Sequence, residues 1–267
     1  MGRILLLLLF ALFVLFLYGP ILTIVILAFG GPDSGLTFPM RGVSLHWFSE
    51  LFQTQSVGDL GAALQRTGVL AAMVSAVTVS ASLAAGLAFR RRFRGSSALF
   101  ALALASLIVP SILVSLGVGL LFSQAGLDTD WWSSAFGAQL TWTLPFGLLI
   151  TFAVLNRFDR SWEEAARDLG ASTWQTIRLV ILPVLAPGLV AVALFGFTLS
   201  YDEFARTLQT AGPQNTLPLD IWSMTLNVTS PSLYALGTVT TIISFLIIGA
   251  ALGTIVFIQK RRGARAS

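Results

Sequence analysis

Cysteine is absent from the 267 residues, histidine occurs once, at His46, and lysine once, at Lys260. Without cysteine there is neither a disulfide framework nor a thiolate metal site. A lone histidine, read as a surface residue of a loop, leaves no histidine-based metal or catalytic constellation. Lys260 follows Gln259 and precedes Arg261, so no Gly-x-x-x-x-Gly-Lys-Ser/Thr phosphate loop exists, and the chain cannot hydrolyse ATP by that device. Charge is also scarce. Charged residues make up 10% of the chain, against roughly 25% in soluble domains, while 55% are hydrophobic and the mean hydropathy is +0.84. This composition is that of an integral membrane protein. The net charge of +4 does not signal nucleic acid, because the basic residues flank apolar runs instead of forming a stripe.

What the chain does have is long apolar runs. Residues 4–29, 67–89, 97–122, 135–155, 184–204 and 233–258 are each long enough to cross a bilayer, giving an all-α single transmembrane domain over 1–267 with six spans. The first run exceeds the ~7–15 apolar residues of a signal peptide and is expected to stay as a helix. Between it and the second, Leu45–Phe52 suits an interfacial helix in an exposed loop. Of the sixteen basic residues, thirteen fall on one side: Arg3, the 90–94 cluster, Arg157, Arg160, Arg167, Arg178 and the group from Lys260 onward. Arg41, Arg66 and Arg206 lie opposite. Both termini and the 156–182 insert are therefore expected in the cytoplasm.

That insert is the one polar, doubly capped stretch. Trp162, Ala165, Ala166 and Leu169 fall on one helical face, with Glu163, Glu164, Arg167 and Asp168 on the other flank. Ser161 with Glu164, and Ser172 with Gln175, have the spacing of capping boxes, and Gly170 is placed to end the first helix in a left-handed turn. The expectation is two short surface helices, the second carrying Trp174 towards Pro183. A plain amphipathic helix lying on headgroups is the alternative.

A second stretch, Ser200-Tyr201-Asp202-Glu203-Phe204, puts two carboxylates near the end of the fifth span. Such groups face a cavity or a partner more often than lipid. Either they form a mouth for a cationic solute, with Tyr201 offering a cation–π face, or they reach the interface or pair with Arg206. Pro110 and Pro145 are candidate pathway-lining hinges.

Glu164-Ala165-Ala166, Gly170 and Val180-Ile181-Leu182-Pro183 resemble the EAA loop of the membrane subunits of binding-protein-dependent ABC importers. Val180 stands where isoleucine is usual. A closer resemblance, to the second permease of spermidine/putrescine-type importers, rests on Val43-Ser44-Leu45-His46-Trp47-Phe48, Leu144-Pro145-Phe146, Phe158-Asp159, Ser200-Tyr201-Asp202-Glu203-Phe204 and Thr216-Leu217-Pro218. The second of those acids is commonly aspartate in that subgroup, which also includes permeases for aminophosphonates, opines and amino-acid-like compounds. The resemblance implies a six-helix type I importer permease in a bacterial inner membrane. It implies a homologous permease partner, two ATPase subunits carrying ATP and Mg, and a periplasmic solute-binding protein. It further implies that the insert is a coupling helix docked on an ATPase, with Glu164, Ala165, Ala166, Gly170, Ser172 and Trp174 as its coupling residues. The rival from another class is an ion-driven secondary transporter or channel, for which the intramembrane acids would be coupling groups and broken, repeated helices the signature.

Overall fold

In the computed structural model, which describes residues 2–51, 59–90, 93–227 and 230–266, the regular elements are helices. They are α1 (Gly2–Ala28), α2 (His46–Glu50), α3 (Leu60–Phe89), α4 (Ser96–Ala105), α5 (Ser111–Gln124), α6 (Phe136–Leu155), α7 (Ser161–Asp168), α8 (Thr173–Thr176), α9 (Leu182–Tyr201), α10 (Leu217–Asn227) and α11 (Ser232–Ala266). A π-helical turn at Trp131–Ala135 leads into α6, and another at Ile177–Ile181 joins α8 to α9. Five helical stretches among the described residues are long and apolar enough to cross a membrane: Gly2–Ala28, Leu60–Phe89, Trp131–Leu155, Thr173–Tyr201 and Ser232–Thr254.

Two expectations change here. The span expected over 97–122 is two helices, α4 and α5, each shorter than the ~30 Å of hydrocarbon. Pro110 breaks them: it has no N–H to continue the ladder, it forces an extended step (ψ 130°), and it caps the start of α5. The fifth span, expected from Val184, begins at Thr173, so the second helix of the polar insert and the span behind it are one rod of 29 residues. The π turn ahead of Pro183 absorbs the missing donor without a break. A helix, α2, is present within the 45–52 stretch expected to be helical, with position 52 outside the described residues.

The chain divides into two compact units, Met1–Ala63 with Leu219–Phe245, and Leu64–Pro218 with Leu246–Ser267. In the first, α1 is bare along its apolar length: Phe16 is 81% exposed, and only Leu27 and Ala28 of the helix are buried. A helix apolar on every side needs lipid or another membrane helix around it. Its exit is pinned by Ser44 N donating to Phe29 O (2.9 Å) and Gly31 N to Gly42 O (3.2 Å), and Tyr234 Oη donates to Leu36 O (2.9 Å).

In the second unit α3, α6 and α9 pack through small residues and hydroxyls. A Cβ on Gly147 would lie 2.5 Å from Ser82 Oγ and 2.6 Å from Thr78 Cγ2, so α3 approaches α6 as closely as a bare Cα allows. Thr78 Oγ1 donates to Thr143 Oγ1 (3.0 Å), Ser75 Oγ to Ala193 O (2.8 Å), and Ser200 Oγ to Gln139 Oε1. Such bonds serve as glue where lipid offers no hydrophobic drive between helices. Towards the α7 end, Leu155, Phe158, Ile181 and Leu185 form an apolar cluster that takes in Leu83 and Leu87 of α3. That cluster is the floor on which the polar insert stands.

Candidate functional site

The insert folds as the capping chemistry dictates, with one change. Ser172 accepts from Gln175 N (3.3 Å) while Gln175 Oε1 accepts from Ser172 N (2.8 Å), so the second capping box forms. The first does not. Ser161 is already inside α7, and the carboxylate of Asp159, a stronger acceptor than a hydroxyl, takes the Ser161 N–H at 2.9 Å. Bonds from the N–H and hydroxyl of Ser161 hold the Asp159 carboxyl below its ordinary pKa. Gly170 ends α7 at φ +83°, with Ala171 N donating to Ala166 O (3.0 Å) and Gly170 N to Arg167 O (2.8 Å), the paired bonds of a Schellman turn.

The α7 helix is held from behind. Arg90, at the end of α3, forms an ion pair with Glu163, and its guanidinium lies 5.2 Å from the centre of the Phe158 ring, which in turn meets Trp162 edge-on at 5.5 Å. Both charged side chains are only 15% exposed. A cleft of about 280 Å³ beside this pair is lined by Arg90, Arg160, Glu163, Arg167 and Ile177 among others. The opposite face of α7 is bare: Ala165 is exposed, Trp162 is 48% and Leu169 89% exposed; Glu164, also exposed, lines the cleft, Ala166 is half-buried, and Trp174 on α8 is 65% exposed. The apolar stripe that spacing put on one face of α7 faces out, because the inward side of α7 is claimed by the Arg90 pair. Arg90 and Glu163 were legible only as a stop signal and a charged flank.

The acidic stretch sits elsewhere. Tyr201 is buried and its ring lies nearly parallel to that of Phe197, 6.0 Å away. Asp202 is exposed, whereas Glu203 is buried and paired with Arg206, through Arg206 N to Glu203 Oε1 at 2.7 Å and between the charged heads at 3.9 Å. Arg206, expected in a loop opposite the basic side, is instead 2% exposed. The reason is that the chain after α9 turns back into the helices: Gln209 N donates to Ser115 Oγ (2.9 Å), Ser134 Oγ to Thr210 O (2.7 Å), and Gln139 Nε2 to Thr207 Oγ1 (3.4 Å). Irregular backbone at such depth survives only when buried in protein.

The Arg206 guanidinium reaches three residues on two helices, α5 and α6. Its Nη1 donates to Ser111 Oγ (2.6 Å), its Nε to Thr141 Oγ1 (3.2 Å), and its head lies 4.7 Å from the Trp142 ring centre. By the helical rise, Thr141 is about 15 Å from Trp131 and about 21 Å from Leu155, in the middle of the rod. The break at Pro110 comes to the same level, since Ser106 Oγ donates to Thr141 O (2.5 Å) and Ser111 follows the proline directly. Pro145, by contrast, is buried inside α6 and breaks nothing. A second cleft, of about 500 Å³, lies among Gly119, Ser123, Asp128, Thr129 and Gln209. Among the described residues no three histidine or carboxylate side chains converge to hold a metal ion.

A structure with this distribution of parts has counterparts. Spermidine/putrescine transport system permease protein PotC of Escherichia coli (strain K12) is 30% identical over 237 residues, 88% of each chain. Putrescine transport system permease protein PotI of the same organism is 30% identical over 264 residues, 94% of this chain and 88% of that one. A bacterial ABC transporter involved in import of the acidic polysaccharide alginate superposes with a TM-score of 0.72 over 96% of this chain and 95% of its own, at 17% identity, which shows a shared fold. Residues 68–262 match the model of the family described as binding-protein-dependent transport system inner membrane component, and the chain belongs to that family, as an integral permease of an ABC importer.

Proposed function

We propose that this chain is one of two permease subunits of an importer for polyamines or related small amine-containing solutes. It makes half of the translocation pathway and is driven by ATP and Mg on two separate ATPase subunits. A periplasmic binding protein delivers the solute, and a homologous permease completes the membrane part in a bacterial inner membrane. Both termini and α7 face the cytoplasm, in keeping with the thirteen basic residues on that side.

The observation that carries this reading is the two-sided α7. One flank is anchored to α3 by Arg90 and Glu163, while the other offers Trp162, Ala165 and Leu169 bare, next to the exposed Trp174 of α8 at the start of a 29-residue rod. An element fixed to the span bundle and uncovered on its outer face transmits force. Glu164 and Trp174 make the contact, Ala165 and Ala166 allow close approach, Gly170 sets the bend, and Ser172 starts the rod that carries the movement to Tyr201. Alternation between inward-open and outward-open states is then a rigid-body movement driven from that surface. The amine cargo is favoured by the PotC and PotI relatives and by the Tyr201-Asp202-Glu203 stretch. The shared fold with the alginate importer does not bear on cargo.

The test is reconstitution with the cognate ATPases, partner permease and binding protein. Putrescine or spermidine should stimulate ATP hydrolysis, and Glu164→Arg should abolish stimulation while solute capture by the soluble binding protein is unchanged. Full stimulation in that variant would refute the docking role, and stimulation only by solutes without an amine would refute the cargo.

A further inference from the structure

At mid-depth the described chain has already filled a cation site with one of its own side chains. Glu203 is a buried carboxylate, Trp142 offers an aromatic face with its Nε1 buried and unpartnered, and Ser111 and Thr141 supply oxygens from the broken helix and from α6. These are the parts that recognise an alkylammonium group: a carboxylate for charge, an indole face for cation–π attraction, and hydroxyls for the N–H donors. Arg206 occupies all of them at once. A discontinuous helix and an ion pair at one level inside the membrane are marks of a solute route more than of a structural prop.

We propose that Arg206 is a tethered competitor of the cationic solute, and so a specificity-determining residue of the pathway. In the empty transporter it neutralises Glu203, which would otherwise be a buried unpaired charge. When an amine arrives, its ammonium takes the place of the guanidinium on Glu203 and Trp142. Arg206 then swings towards Asp202, the exposed carboxylate four positions earlier in the chain. Positive charge at Glu203 is conserved through the exchange, and no covalent bond is made or broken. The same exchange run backwards expels the solute, which keeps its affinity low enough for release. A small inorganic ion gives up more hydration than the Trp142 face returns, so the site discriminates organic amines from inorganic monovalent ions. This inference rests on the amine-cargo reading and goes further, by naming the residue that sets the affinity.

The experiment measures binding of labelled putrescine to the assembled permease–ATPase complex in nanodiscs without the binding protein. It compares wild type with Arg206→Gln, Arg206→Lys and the neutral pair Glu203→Gln/Arg206→Gln. Removing the competitor should tighten putrescine binding at least about tenfold in Arg206→Gln and slow its release. Lysine, a point charge that cannot span Ser111 and Thr141 as the guanidinium fork does, should give an intermediate gain. The neutral pair should show no gain. Unchanged or weaker binding in Arg206→Gln, or a gain that persists without Glu203, overturns the proposal. If Arg206→Gln does not assemble, an affinity for putrescine in Arg206→Lys equal to wild type overturns it as well. The cargo reading fails separately: it is lost if wild type with its binding protein shows no ATPase stimulation by any polyamine. It stands if stimulation is present while the Arg206 variants bind no tighter.

Discussion

Removing the anchor of α7 should uncouple ATP hydrolysis from solute without touching the exposed face. In Glu163→Ala, Arg90 loses its partner while most of its head stays out of water. A charge-assisted hydrogen bond between partly buried groups contributes ~1.5–3 kcal/mol. The Arg90–Phe158 contact survives and offsets little, at ~0.5–1 kcal/mol. A loss of about 2 kcal/mol shifts the balance between seated and unseated α7 roughly thirtyfold. If wild-type α7 is seated by a comparable margin, solute-stimulated hydrolysis should fall severalfold in the variant while basal hydrolysis by the ATPases is retained. The assay is a double-mutant cycle with Arg90→Ala, read as stimulated ATPase activity in proteoliposomes. A coupling energy near zero, or Glu163→Ala and Arg90→Ala effects that simply add, would refute the claim that this pair holds the lever.

Gly170→Ala places a Cβ at φ +83° and should cost ~1–2 kcal/mol of local stability, seen as faster amide exchange at Ala171 and lower coupling; equal exchange would show that the turn tolerates a side chain. Gly147→Leu drives a large side chain into Thr78 and Ser82 and should cost more than the ~1–3 kcal/mol of ordinary overpacking, measured as loss of assembled complex on size-exclusion chromatography. Ser172→Ala removes the formed cap and should cost ~1 kcal/mol at the start of the rod, whereas Ser161→Ala keeps its N–H on Asp159 and should cost less; the two are compared by amide exchange along each first turn. Because the folded pKa of Asp159 is depressed, its contribution is fully present above the unfolded carboxylate value and fades as pH falls through the folded one; Asp159→Asn should flatten exchange at Ser161 across that acid range, and an unchanged slope would contradict it.

The capping box at Ser172 and the bend at Gly170 were legible because they depend on neighbours three to five residues away. The Arg90–Glu163 anchor spans 73 positions and the Arg206–Ser111 bond 95, and no local pattern encodes such partners. For that reason Glu164 stood out from the Ser161 spacing and the EAA resemblance, while Glu163, one residue before it, was read only as part of the same charged flank. Pro110 was visible as a possible hinge. That it severs the span, and that the severed end comes level with Thr141, depends on how α4 and α5 lie against α6.

From the chain alone came the membrane class, the apolar stretches, the polar insert and its caps, and the family that these imply. Hydropathy and capping are properties of short segments, and a bilayer filters them strongly. Packing decided the rest: which face of α7 is bare, that the segment after α9 turns inward, and that Arg206, counted by charge rules as a loop residue, is sealed beside Glu203 and Trp142. A buried charge is tolerable only where several elements jointly supply its partners, so its place is settled by tertiary structure and by nothing shorter in range.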